Sequence, residues 1–112
     1  MTYIKDYTTI YIFGGRKYKV TAPARFDEKT NQPVYDPELD DYALEQAMAA
    51  YRKDMGFFDP KELTSWRLDH NLSYADMASV TGLSVNTLKL YEAGAFPAPA
   101  HNIAIKKILQ KK

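Results

Sequence analysis

The chain contains no cysteine, and its only two histidines, His70 and His101, lie far apart in sequence. Disulfides and thiolate-bound metals are therefore excluded, and two isolated imidazoles supply neither a metal cluster nor a base with its partner. There is also no glycine-rich phosphate loop and no carboxylate pair with a histidine nearby, so catalysis is not expected and no cofactor is implied. No apolar run is long enough to span a bilayer, and no signal peptide or lipidation motif is present. These absences point to a cytoplasmic protein without membrane contact.

What the chain does contain is enough to fold: 112 residues, 46% hydrophobic and 13% aromatic. That corresponds to one ordinary domain or two very small modules. The net charge of +1 hides a segregation: residues 1–26 carry +4, residues 27–62 carry −6 and residues 63–112 carry +3. A basic C-terminal part is suited to phosphates, and an acidic middle to a basic protein.

Residues 8–22 form two β-branched and aromatic runs around Gly14-Gly15, a pair suited to a tight hairpin turn because positive φ is required there. Residues 23–40 hold three prolines and many turn formers, predicting a loop with one short strand near Val34-Tyr35. Asp36 before Pro37 is an N-cap and first-position pair, and the helix it starts is expected over residues 37–55. Its apolar stripe reads as Leu44, Met48, Tyr51 and Met55, with Ala43, Ala47 and Ala50 beside it. Gly56 ends it, giving a module over residues 1–56.

The second module, residues 57–112, reads as short helices with little between them. Asp59, Pro60 and Glu62 signal a helix start, and Leu63 and Trp66 share a face of that helix as core positions. Ser73 with Asp76 is a capping box. Ala78, Gly82 and Leu88 then have helix-turn-helix spacing: a small residue where two helices cross, a glycine at the turn, and an apolar residue locking the second helix onto the first. Ser84 caps that second helix, Gly94 stops it, and Pro97 and Pro99 forbid continuation. A last helix offers Ile103, Ile105, Ile108 and Leu109 for packing. Tyr91 falls on the packing face, and His70 and His101 read as structural or exposed.

The stretch "WRLDHNLSYADMASVTGLSVNTLKLYEAG" resembles the Xre family of Cro-like regulators. Together with "AFPAPAHN", the "PELDDYALEQAMAAYRKDMGFFDPKEL" segment and the hairpin, it resembles antitoxins of the MqsA kind over nearly the whole chain. The resemblance implies an α+β fold: a small β-hairpin module plus long helix, then an all-α Xre-type helix-turn-helix domain. It also implies a homodimer that binds its own double-stranded DNA operator and neutralises a cognate toxin through the N-terminal part. An ion pair between Arg67 and Glu92 is implied as well, partly exposed and of modest worth. Three departures stand out. Where such proteins carry two Cys-x-x-Cys pairs for zinc, the second pair falls here at Asp27 and Thr30 and the first before the chain's start. Tyr74 replaces a glutamine, and Leu90 replaces an arginine.

In this motif the side chains able to reach base edges are Ser84, Val85, Asn86, Lys89 and Leu90. Asn86 can pair with adenine, Lys89 can reach guanine or a phosphate, and Val85 or Leu90 can touch a thymine methyl. Backbone contacts are expected from Tyr74, Thr87 and Lys106 or Lys107, with binding that weakens steeply in salt. The alternative is a protein-binding inhibitor module whose helix-turn-helix no longer reads DNA, with Leu90 and Tyr74 in an apolar contact patch.

Overall fold

The computed structural model describes residues 1–111, which divide into two compact units, Met1–Met55 and the chain from Gly56 onward. The fold is α+β, an antiparallel hairpin with a short third strand followed by five helices among the described residues.

In the first unit, β1 (Thr2–Phe13) and β2 (Arg16–Asp27) pair antiparallel, and β3 (Pro33–Val34) joins β2 at Arg25 and Phe26. Gly14 and Gly15 make the turn with φ of 55° and 78°, the left-handed pair whose twist suits a two-residue hairpin. Glycine at the first position also leaves room, since a Cβ there would lie 2.7 Å from the Tyr51 hydroxyl. The hairpin is longer than residues 8–22, and the segment from Pro23 to Asp27, expected as loop, is strand. Aromatic packing explains the extension. Phe26 is buried against the rings of Tyr3 and Tyr7, with centroids 5.7 and 5.5 Å away, and the Lys5 ammonium lies 4.6 Å above it. Pro23 is tolerated because β3 does not reach that part of β2's edge.

Helix α1 (Pro37–Met55) begins at the expected cap, where the Leu39 amide donates to Asp36 Oδ1 at 3.1 Å. Arg25 Nε donates to the other Asp36 oxygen at 2.9 Å, and these two bonds hold the carboxyl below its ordinary pKa. The face turned to the sheet keeps Tyr51 of the expected stripe and the alanines beside it, but not all of the larger side chains. Ala47 is fully buried on Tyr18, Val20 and Ala22, flanked by Ala43 and Tyr51, whereas Leu44 and Met55 are exposed. The strands already supply bulky rings from Tyr11, Phe13 and Tyr18, so small side chains on the helix let the two surfaces close without a gap. Burial and then a 2.9 Å bond to Asp54 raise the pKa of the Tyr18 phenol.

The second unit is α2 (Pro60–Asp69), α3 (Tyr74–Thr81), α4 (Val85–Glu92) and α5 (Pro99–Leu109) around a core of Phe58, Leu63, Met77, Leu88, Tyr91 and Ile105. Leu63, Met77, Leu88 and Ile105 are at most 1% exposed, and each buried side chain of this kind contributes about 1.5–3 kcal/mol. Asp59 caps α2 through the Lys61 amide. Both bonds of the Ser73–Asp76 capping box start α3, and the Ser73 amide, then its hydroxyl, hold the Asp76 carboxyl below its ordinary pKa. Trp66 packs at the core's rim, its indole donating to the Lys111 carbonyl. Ile103 is exposed rather than packed, because α5 buries Ile105 and Ile108.

Candidate nucleic-acid interface

Helix α4 divides cleanly between core and solvent. Leu88 and Tyr91, three residues apart, point inward and are 0% and 7% exposed. Asn86, Lys89 and Leu90 face out, and Leu90 is 60% exposed. Eight residues at 1.5 Å per residue make a rod about 12 Å long, comparable with the width of a DNA major groove.

The mounting of the rod begins at the turn. Gly82 adopts φ 74° and donates to the Ala78 carbonyl at 2.9 Å, the geometry that lets α3 end without a Cβ penalty. The Leu83 amide then donates to Thr81 Oγ1 at 3.1 Å. Ser84 Oγ accepts the Thr87 amide at 3.1 Å and donates its proton toward Thr87 Oγ1 at 2.8 Å. Both hydroxyls are thereby engaged in starting α4.

At the other end of α4, Glu92 is bound three times. Arg67 donates from Nε to Oε2 at 2.9 Å and from Nη2 to Oε1 at 3.2 Å, and the Thr64 hydroxyl donates to Oε1 at 2.7 Å. Arg67 Nη1 also donates to the Leu72 carbonyl at 3.2 Å. The bonds to Glu92 raise the arginine pKa further above its ordinary value. Side-chain exposures of 12% for Arg67 and 8% for Glu92 make this a part-buried pair, less exposed than an ordinary surface pair. Its removal is therefore governed by the cost of a stranded charge, not by the small worth of a surface pair.

Tyr74, the first residue of α3, is half-buried, and two cations approach its ring. The Arg67 guanidinium carbon lies 4.2 Å from the ring centroid and the Lys89 ammonium 5.3 Å from it. Tyr74 and Lys89 are thus in contact, and Asn86 and Leu90 share the outward side of α4 with Lys89. Ser84 and Thr87 serve as cap partners, and Val85 is half-buried. Lys106 lies elsewhere, its ammonium donating to the Gly56 carbonyl at 3.0 Å in a recess that also has Asp59 and Glu62 on its wall. Lys89 is the one basic residue of α4, and α3 carries only the acidic Asp76.

Two residues of α5 have structural partners that spacing alone did not reveal. The Tyr91 hydroxyl lies 2.7 Å from His101 Nδ1. Asn102 clamps the segment before α2, accepting from the Phe58 amide at 2.9 Å and donating to the Gly56 carbonyl at 3.1 Å. The partners of Asn102 are more than forty residues away in sequence, beyond any local pattern. His70 stacks on Trp66 with centroids 4.0 Å apart. Among the described residues no group of three or more His, Asp or Glu side chains is placed to hold a metal, and no helix is long and apolar enough to cross a membrane. Comparison of the chain with models of protein families and with curated proteins found no match, which leaves the geometry above as the ground for a functional reading.

Proposed function

We propose that this protein is an antitoxin-like transcriptional regulator of the cytoplasm. Its second unit binds its own operator as a homodimer, and its first unit binds and neutralises a cognate toxin. The observation that carries the DNA half is the outward presentation of Asn86, Lys89 and Leu90 on a helix whose other side is pinned by Leu88, Tyr91 and the Arg67–Glu92 pair. An amide, a cation and an apolar tip on one helix face match the adenine edge, the phosphate or guanine, and the thymine methyl of a major groove. In a dimer, two such helices would read half-sites about 34 Å apart. The toxin-binding half is supported by the acidic residues of the middle segment, several of which lie in the first turns of α1.

With Lys89 the only cation on α4 and Lys106 held at Gly56, the expected salt dependence is shallower than that of a strongly basic reader, and base contacts carry more of the affinity. The test is fluorescence anisotropy with the promoter fragment upstream of the protein's own coding sequence and a random duplex of equal length. Preference for the promoter fragment by about a thousandfold or more is expected, and equal affinity for both refutes the DNA half. Asn86→Ala should narrow the gap between the two duplexes. For the toxin half, co-expression with the adjacent open reading frame should give a stoichiometric complex with the full chain.

The exposure of Leu90 favours a second reading, a protein-binding inhibitor module that no longer reads DNA. Leu90→Arg separates the two. Under the first reading the variant keeps its protein partner and changes its base preference; under the second it loses the partner.

A further inference from the structure

The residues that anchor α4 continue outward in one line of contacts. Thr64 and Arg67 grip Glu92, Arg67 lies 4.2 Å from the Tyr74 ring centroid, and the Lys89 ammonium lies 5.3 Å from that same centroid. The inner part of this line is fixed, since the Arg67 and Glu92 side chains are 12% and 8% exposed and joined by two hydrogen bonds. Glu92 also neutralises Arg67, so a second cation can approach the tyrosine without repulsion from an uncompensated guanidinium. A lysine on an exposed helix face ordinarily samples many rotamers. Here the π-face of Tyr74 offers its ammonium a favoured position.

That position has a direction. Tyr74 is the first residue of α3. In helix-turn-helix docking the first helix of the pair crosses the DNA backbone while the second enters the groove. A cation drawn from α4 toward the start of α3 is therefore drawn away from the base edges and toward the rim of the groove, where the phosphates are. We infer that Tyr74 is a positioning residue that holds the Lys89 ammonium for one DNA phosphate, so that Lys89 sets register on the duplex and Asn86 and Leu90 read the sequence. This inference rests on the DNA-binding function proposed above. It assigns the tyrosine a part in recognition without requiring it to touch DNA, and it narrows Lys89 from guanine or phosphate to phosphate.

The experiment uses the full chain with the promoter fragment and a random duplex, titrated by anisotropy between 50 and 200 mM salt, as in ordinary counterion-release measurements. Lys89→Gln, an exposed change, is expected to reduce the slope of log K against log salt by about 0.9 per bound α4 on both duplexes, leaving the preference between them unchanged. Over that fourfold salt range the change corresponds to about a 3.5-fold smaller loss of affinity for each bound α4, and about twelvefold for the dimer. Tyr74→Leu should reproduce the effect, Tyr74→Phe, which keeps the ring, should keep the salt slope of the unmutated protein, and Tyr74→Leu combined with Lys89→Gln should be no weaker than Lys89→Gln alone. In the free protein, the Lys89 ε-methylene resonance should be shifted upfield by the ring, a shift kept in Tyr74→Phe and lost in Tyr74→Leu.

Additive losses, a Phe variant that behaves like the Leu variant, or a Lys89→Gln variant that changes the preference between duplexes while keeping the slope would each overturn the inference, with DNA binding itself intact. An unmutated chain that binds neither duplex would overturn the DNA-binding proposal and this inference with it.

Discussion

Replacing Glu92 by leucine is a sharp test of how α4 is held. Glu92 accepts three hydrogen bonds from Arg67 and Thr64 and is 8% exposed on its side chain. The substitution leaves the Arg67 guanidinium, itself 12% exposed, with the Leu72 carbonyl and the Tyr74 side chain as partners. Without Glu92 the Thr64 hydroxyl can turn its single proton to the Pro60 carbonyl, 3.2 Å away, so its loss is minor. Removing one member of a fully buried pair costs about 3–5 kcal/mol, and the lower end applies to this part-buried one. A unit of this size has roughly 3–8 kcal/mol of total stability. The variant should therefore be largely unfolded from Gly56 onward or melt more than about 12 °C lower, at about 4 °C per kcal/mol. The assay is urea denaturation followed by tryptophan fluorescence, and Trp66, the only tryptophan in the chain, reports on this unit alone. Combining Glu92→Leu with Arg67→Met removes both charges and should recover most of the loss, with a coupling of about 2 kcal/mol or more. A loss below about 1 kcal/mol for Glu92→Leu, or strict additivity in the double variant, would refute the claim that the pair holds the helices.

Three further outcomes are expected. Asparagine tolerates positive φ, so Gly15→Asn, with nothing within 4 Å of the new Cβ, should leave the thermal midpoint nearly unchanged; Gly14→Asn must displace the Tyr51 hydroxyl, 2.7 Å away, and should lower it by several degrees. Equal effects at the two glycines would mean that the Tyr51 contact does not constrain the turn. Asp76 has a lowered pKa in the folded chain because the Ser73 amide and then its hydroxyl bind the carboxylate, so the folded state holds that proton less tightly than the unfolded one. Its contribution is complete above the unfolded value of about 3.9 and is lost as pH falls below it, and Asp76→Asn should flatten the fall in Trp66-monitored stability between pH 4 and 2. Tyr18 is the opposite case: burial and Asp54 raise its pKa, so its contribution is complete below about pH 10 and is lost as pH rises through the folded value. Absorbance titration at 295 nm should show a late-ionising tyrosine that Tyr18→Phe removes.

The features legible in the sequence are those settled within a few residues. Asp36, Asp59, Ser73 and Ser84 cap helices where their spacing predicts, and Gly82 turns at positive φ. Each is decided by a side chain and an amide two or three positions away, so the information is local. The α1 face was legible only in part, Tyr51 and the small alanines being placed and Leu44 and Met55 not, for the converse reason. Periodicity marks which residues are apolar, but the choice between the Leu44–Met55 stripe and the Ala43–Ala47 one depends on the size of the rings opposite, which come from β1 and β2. The same holds for Lys106 and Asn102, whose partner Gly56 is 46 residues or more away. Tyr74 and Lys89 were each visible as candidates, but their contact depends on the angle at which α3 and α4 cross.

The exposure of Leu90 gains meaning from its neighbours. A single exposed leucine is ordinary on a protein surface and carries no message by itself. A site for a protein partner would be expected to extend the apolar surface over several hundred Å². On α4 the residues that share Leu90's outward side are Asn86 and Lys89, one an amide and one a cation, and the nearby Tyr74 ring is approached by Arg67 and Lys89. The apolar area on that side of the helix is therefore close to that of one side chain, set among polar groups. Such a mixture is poorly suited to a dry protein contact and well suited to a groove in which a thymine methyl lies beside hydrogen-bonding edges. Replacing Leu90 by alanine should then cost affinity only where the operator carries an A·T pair opposite it, and a loss independent of that base pair would refute the thymine-methyl contact.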